Sequence, residues 1–331
     1  MAERILVTGG AGYIGSVVVK QLLDRGYEPI IFDNLSHGHR AALPASARLI
    51  VGDIADRAML ERLFAEFQPQ AVMHFAAFIE AGESMQRPEK YFRNNTANAL
   101  TLLETVLAHG VQRFVFSSTA ALYGTPEKNP IEEDARLQPT NAYGESKLLV
   151  ERMLAWLHRV HGLRYACLRY FNAAGAAGDR GEDHHPESHL IPIAFQVALG
   201  VRQQVAIFGT DYPTSDGTCI RDYVHVSDLA AAHLLVLEAL KEKERLIYNL
   251  GNGRGFSVRE VIDMVRKVTG QAIPAEESPR RPGDPAVLVA SSEKIKRELG
   301  WKPEYTDLES IVRSAWNWRI AHPTGYASNQ D

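Results

Sequence analysis

Tyr143 and Lys147 stand four residues apart in Tyr-Gly-Glu-Ser-Lys, the separation that puts two side chains one turn apart on a single helix face. A phenol near pKa 10 is a poor base at neutral pH. An ammonium within about 4–6 Å can lower such a pKa by roughly 1–3 units, so the pair reads as a general base for a substrate hydroxyl proton. An exposed amphipathic pair shares the same spacing, and only its surroundings decide between the two. Upstream, Phe116-Ser117-Ser118-Thr119 closes an apolar run and places the Thr119 hydroxyl to assist the same reacting oxygen.

Val7-Thr8-Gly9-Gly10-Ala11-Gly12-Tyr13-Ile14-Gly15 sets glycines at 9, 12 and 15 between an apolar run and a helical pattern. Such a turn lets backbone approach a pyrophosphate at a helix N-terminus, and it is read here as a dinucleotide site. Asp33 follows eighteen residues after Gly15 in Phe32-Asp33-Asn34. A carboxylate there accepts from the adenosine ribose hydroxyls and repels a 2′-phosphate, which favours NAD over NADP. Asp53-Ile54 closes the third run, either as adenine-pocket wall or as a helix cap.

The elements that must position these groups alternate. Strand patterns at 4–7, 28–32, 48–51, 71–75, 113–117 and 165–170 are interleaved with helical patterns at 13–25, 57–67, 88–109 and 142–161. Strands separated by helices of this length make βαβ units and a parallel sheet covered on both faces, a Rossmann-type doubly wound α/β fold. The expected division is a dinucleotide-binding domain over 1–171 and a smaller mixed α/β domain over 172–331, with the chain interleaving between them. The second domain caps the carboxyl ends of the strands, where ligands of doubly wound sheets sit. Helical patterns there span 191–200, 226–243, 258–269, 293–299 and 308–321.

Composition narrows the function classes. The 331 residues are 45% hydrophobic and 23% charged with a net charge of −4, a globular profile with no electrostatic footprint for nucleic acid or anionic membrane. Two cysteines make no disulfide framework, and no apolar run approaches a membrane span. The N-terminal residues lack a signal-peptide profile, so a cytoplasmic location is expected. His184, His185 and His189 with Glu182 and Asp183 fit no standard ligand spacing, and no metal is expected.

Taken together, the glycine turn, Asp33-Asn-Leu, Tyr-x-x-x-Lys and Leu168-Arg-Tyr-Phe-Asn172 resemble the extended short-chain dehydrogenase/reductases. Ile207-Phe-Gly-Thr-Asp-Tyr-Pro213, Asp216-Gly-Thr-Cys-Ile-Arg-Asp-Tyr-Val-His-Val226 and Tyr248-Asn-Leu-Gly251 are similar to the UDP-hexose 4-epimerase branch, over nearly the whole chain. That resemblance implies interconversion of UDP-glucose and UDP-galactose: C4 of the hexose is oxidised against NAD, the 4-keto sugar turns, and hydride returns to its other face. It implies Tyr143 as base, with Lys147 and Thr119 assisting. It further implies NAD contacts from Tyr13, Ile14, Asn34, Asp53, Ile54, Phe75, Ala76, Ala77, Asn94, Ser117, Tyr170 and Phe171. On the substrate side Arg221 and Arg281 match positions holding the diphosphate, suited to guanidinium forks, and Asp284 matches the acid on the uridine ribose. Asn172, His189, Leu190, Ala206, Ile207 and Phe208 match further substrate positions. A homodimer is implied through helices 88–109 and 142–161, with Leu148, Leu149, Met153 and Leu157 as candidates for the contact face.

Three positions depart from the pattern. Ile79 replaces a lysine that helps hold the cofactor phosphates in some members, His189 replaces a frequent asparagine, and Leu288 occupies a gate whose bulk bears on N-acetyl sugars. A 4,6-dehydratase would need an acid and a base directly after Thr119, where this chain has Ala120 and Ala121. A non-catalytic NAD-binding protein would not be expected to retain both Tyr143 and Lys147. Epimerisation of UDP-N-acetylglucosamine, UDP-glucuronate or UDP-xylose is the alternative within the same chemistry.

Overall fold

The computed structural model describes residues 2–281 and 283–326. Strands β1 (Arg4–Thr8), β2 (Glu28–Asp33), β3 (Arg48–Val51), β4 (Ala71–His74), β5 (Arg113–Thr119) and β6 (Arg164–Tyr170) alternate with helices. These helices are α1 (Tyr13–Asp24), α2 (Arg57–Phe67), the short α3 (Ala81–Ser84) and α4 (Pro88–Tyr91), α5 (Asn98–Ala108) and α6 (Ala142–His161). After β6 come β7 (Asn172–Ala174), α7 (Leu190–Ala198), β8 (Val205–Phe208), β9 (Ile220–His225), α8 (Val226–Ala239) and β10 (Arg245–Leu250). The remainder is β11 (Gly255–Ser257), α9 (Val258–Thr269), β12 (Ala275–Ser278), β13 (Val287–Leu288), α10 (Glu293–Leu299) and α11 (Leu308–Ala321).

The main sheet has seven strands in the order β10-β6-β5-β4-β1-β2-β3, all parallel. Its order reverses between β1 and β4, the switch point at which doubly wound sheets open a ligand crevice. Alternate residues serve opposite layers, as strand geometry requires. Ile5 and Val7 pack with α1 and α8, whereas Leu6, Phe114 and Phe116 pack with α2, α5 and α6. The last strand, β10, comes from beyond residue 172 and pairs with β6 from Arg245↔Tyr165 to Leu250↔Tyr170. A smaller sheet is built on β9, which pairs with β7, β11 and β13, and β8 pairs with β12. A separate core of Ile191, Phe195, Ile207, Val261, Val265, Ile311 and Val312 sits beneath these elements.

Two differences from the sequence reading have physical causes. The helix expected over 88–109 contains a π-helical turn at Phe92–Ala97. Asn95 lies in it, accepting from Phe78 N–H at 2.9 Å and donating to Phe78 C=O at 2.9 Å and Ser146 Oγ at 3.1 Å. These bonds join the wider turn to the loop after β4 and to α6, the kind of functional placement such bulges favour. The short strands β7, β11 and β13 escape a sequence reading because two or three residues carry no periodicity.

Candidate active site

The carboxyl ends of β1, β2, β4, β5 and β6 form one wall of a cleft of about 910 Å³, and α7, β8 and β9 form the other. Gly9, Gly12, Tyr13, Ile14, Gly15, Asp33, Asn34, Asp53, Ile54, Phe75, Ala76, Ala77, Asn94, Ser117, Thr119, Tyr143, Lys147, Tyr170 and Phe171 all line it. The fold therefore brings the whole expected cofactor and catalytic set to one cavity.

At the glycine end, Gly9 has φ +72°, and a Cβ on it would lie 2.4 Å from Ala76 N. A Cβ on Gly15 would lie 2.2 Å from Gly9 C=O. Helix α1 has Gly12 as its N-cap and no side-chain cap, so its first N–H groups and positive dipole end remain for an anion. This cradle fits a pyrophosphate. Asp33 Oδ2 accepts from Ala11 N–H and Oδ1 from Leu35 N–H, each at 2.9 Å. Burial raises its pKa, and those two N–H groups oppose the rise. Each carboxylate oxygen keeps a lone pair for a ribose hydroxyl. Asn34 donates to Asp53 Oδ2 at 2.8 Å, tying the ends of β2 and β3 together.

Helix α6 carries the acid–base pair. Its start is fixed by Asn141, whose Oδ1 accepts from Gly144 N–H at 2.8 Å, and its end by Gly162 in the left-handed conformation. Lys147 Nζ donates to Ser117 C=O at 2.8 Å and lies 4.9 Å from the Phe116 ring centroid. Burial pushes the Lys147 ammonium down to about 7 and the Tyr143 phenol up to about 12, the latter opposed by hydrogen bonding with Thr119. The sequence reading had the ammonium lowering the phenol. In the fold, burial dominates both groups and favours the neutral form of each. Beneath Thr119, on the opposite face of β5, Ser118 Oγ donates to Glu151 Oε1 at 2.6 Å. Arg169 grips the same carboxylate with Nε at 3.1 Å and Nη2 at 2.7 Å. This buried fork braces the strand ends that present Ser117 and Thr119.

At the far end, Asn172, His189, Leu190, Ala206, Phe208, Arg221, Arg281 and Asp284 line the cleft. Arg221 Nη2 lies 3.5 Å from Asp284 Oδ1, and the Arg281 guanidinium sits 3.8 Å over the Phe208 ring. Two expected contacts fall outside the walls. Ile207 is buried in the core under β8, because alternation along the strand turns it away from the face that shows Ala206 and Phe208. Leu288 packs beside Ala120, Leu122 and Phe171 in a separate apolar cluster. Tyr223 and Glu187 line the cleft and were missed, and Glu182, weighed in the sequence only as part of a metal set, lines it too. Tyr223 shares a strand face with Arg221 two residues before it, a signal that was available. Glu187 had none, because a loop has no periodicity.

The same loop gathers Glu182, His184, Glu187 and His189, with one donor atom of each within 4.8 Å of all the others. The sequence reading excluded a metal from the spacing of a set that contained Asp183 and His185 in place of Glu187. The fold instead turns Asp183 toward His39 and Tyr326 N–H. Burial opposes charge on His189, but Glu182 and Glu187 outweigh it and raise the imidazole well above its ordinary value.

The sequence matches the NAD dependent epimerase/dehydratase family over residues 5–251. The chain belongs to that family. A UDP-glucose 4-epimerase from Halalkalibacterium halodurans is 55% identical over 331 residues, spanning 99% of each chain. A crystal structure of a UDP-glucose 4-epimerase superimposes with a TM-score of 0.95 at 51% identity, covering 98% of this chain and 100% of that one. That of the Bifidobacterium longum enzyme, in complex with NAD+ and UDP, gives 0.94 at 38% identity, with the same coverage. As a member of the epimerase/dehydratase family, the chain has alanines at 120 and 121, the two positions at which a dehydratase would carry its extra acid and base.

Proposed function

We propose that the protein interconverts UDP-glucose and UDP-galactose, with NAD held as a resident cofactor. One observation carries this reading. A single cleft joins a pyrophosphate cradle, a buried Tyr143/Lys147/Thr119 group and a two-arginine pocket, in that order. Gly9, Gly12 and Gly15 hold the cofactor diphosphate, Asp33 its adenosine ribose, and Lys147 its nicotinamide ribose. NAD, when bound, would supply the hydride acceptor and donor needed at C4 of the hexose.

The positive charge that an oxidised cofactor would bring to the cleft favours the Tyr143 phenolate against burial, and that phenolate would take the C4 hydroxyl proton and later give it back, with Thr119 holding the same oxygen in line. Arg221 and Arg281 grip the diphosphate, while Asp284 receives the uridine ribose. Ala206 and Phe208 form an apolar wall for the base. The cleft, at about 910 Å³, is large enough for the 4-keto sugar to present either face. The chemistry returns the cofactor to its starting state, so no external oxidant is needed.

We further read the enzyme as a cytoplasmic homodimer of galactose metabolism. Buried free thiols at Cys167 and Cys219 suit a reducing compartment. No helix among the described residues is long and apolar enough to cross a membrane. Of the four residues anticipated for the contact face, Leu149 and Met153 share a helical stripe with Trp156 and Val160, and Leu149 is half-buried. Leu148 is buried within the chain, and Met153 and Leu157 are half-buried against its core. Trp156 and Val160 on α6 and Leu100 on α5 are 61%, 65% and 40% exposed, and they supply the apolar surface that a second copy would cover.

The test is incubation of purified protein with UDP-galactose, following UDP-glucose by chromatography, beside Tyr143→Phe. Conversion by the wild type is expected, and turnover in the variant should fall by about 10²–10⁴-fold with UDP affinity retained. Absence of conversion with and without added NAD would refute the assignment.

A further inference from the structure

We propose that Glu182, His184, Glu187 and His189 form a binding site for one divalent transition cation of the zinc class. Glu182 Oε1 lies 2.8 Å from His189 Nδ1 and 3.2 Å from His184 Nδ1, and Glu187 Oε1 lies 2.9 Å from His189 Nδ1. Ligands about 2.1 Å from a tetrahedral metal stand roughly 3.4 Å from one another. The three measured separations need to open by only a few tenths of an ångström, and the others all lie within 4.8 Å. The loop already gathers four donor atoms into the space that a single ion would occupy.

Donor chemistry points the same way. Two imidazole nitrogens with two carboxylate oxygens form a borderline set that suits Zn²⁺ or Co²⁺ better than the all-oxygen cages of Ca²⁺ or Mg²⁺. Two carboxylates and two neutral imidazoles also carry the charge that a divalent ion cancels. The side chains of Glu182, Glu187 and His184 are only 9%, 4% and 13% exposed. A carboxylate pair this enclosed needs a cation or a proton on a histidine. Glu187 Oε1 also accepts from Ser188 and His189 N–H, each at 2.8 Å, which fixes its position, and the nearby Asp183 faces His39, His185 and Arg319 instead. An ion has access, because the four residues border the main cleft, and Glu182, His184 and Glu187 also line a smaller cavity beside Phe195 and Trp318. The cation would pin the loop before α7 to a fixed shape at the cleft wall. Cation binding is read by metal uptake alone and stands whether or not the protein is an epimerase.

The experiment uses tag-free, chelator-treated full-length protein titrated with Zn²⁺ by calorimetry and with Co²⁺ by visible absorption, with element analysis after dialysis. One ion per chain and a visible cobalt spectrum are expected. Glu182→Gln and His184→Ala should each weaken binding by more than about tenfold, and His185→Ala, outside the cluster, should leave it unchanged. Circular dichroism checks that each variant is folded, and if one is not, the other decides. Failure of the wild type to bind a stoichiometric ion at micromolar concentration would overturn the proposal and leave His189 as a protonated bridge between the glutamates. Unchanged affinity in a folded Glu182→Gln or His184→Ala protein, or loss in His185→Ala, would overturn it equally.

Discussion

Lys147 is the residue at which catalysis and stability oppose one another. It is 2% exposed, and burial lowers its ammonium from 10.5 to about 7. Between those values the unfolded chain binds a proton that the folded chain does not, so stability rises with pH across that window. It is least below the folded value, where a charge must be held in the interior. At about 1.4 kcal/mol per unit, the penalty near neutrality is on the order of 4 kcal/mol. Replacing the amine with a thioether removes that penalty. The replacement also loses the 2.8 Å bond to Ser117 C=O, a cost of about 2 kcal/mol including the carbonyl left without a partner. Lys147→Met is therefore expected to stabilise the nucleotide-free protein by about 2 kcal/mol near neutrality. By about pH 10 that advantage should vanish. Urea unfolding followed by tryptophan fluorescence, wild type and variant side by side across this range, reads the difference, while turnover should be abolished. A variant less stable than wild type near neutrality, or a stability difference that does not change with pH, would refute the reasoning.

Gly15→Ala puts a Cβ 2.2 Å from Gly9 C=O, and overpacking of this kind costs about 1–3 kcal/mol; NAD affinity measured by calorimetry should fall by about tenfold or more. Arg169→Leu leaves Glu151 charged and buried without its fork and should cost about 3–5 kcal/mol in urea unfolding, whereas a change under about 1 kcal/mol would show that the pair braces nothing. Trp156→Glu should convert a dimer to a monomer by light scattering; an unchanged mass would place the interface elsewhere.

The main sheet was legible because strands buried on both faces read as short, nearly uninterrupted apolar runs, set apart by helical stretches of ten residues or more. Tyr143, Lys147 and the glycines were legible because each group lies within one local segment. Ile207 was misplaced by matching a stretch as a block, although Ala206 and Phe208 lining the cleft requires their neighbour to face the core. The four-ligand cluster was hidden for a different reason. Asp183 and Glu187 are equally acidic in sequence, and only the loop's path decides which carboxylate turns inward. Burial of Lys147 was likewise invisible, because it depends on β5 and α6 closing over the side chain from opposite sides.

The outermost strand of the main sheet, β10, has a consequence for how the chain is made. Roughly 75 residues separate its start from the end of β6, several seconds of synthesis at about 5–20 residues per second. Throughout that interval β6, buried on both faces in the finished sheet, has one edge bare, the arrangement that invites pairing between nascent chains. Helix α8, which covers one face of the sheet, arrives in the same late segment. The glycine turn and Tyr143 are thus synthesised early onto a scaffold that cannot close until residue 250 is free. Truncations or pauses within this stretch would yield insoluble protein rather than a working cofactor-binding half.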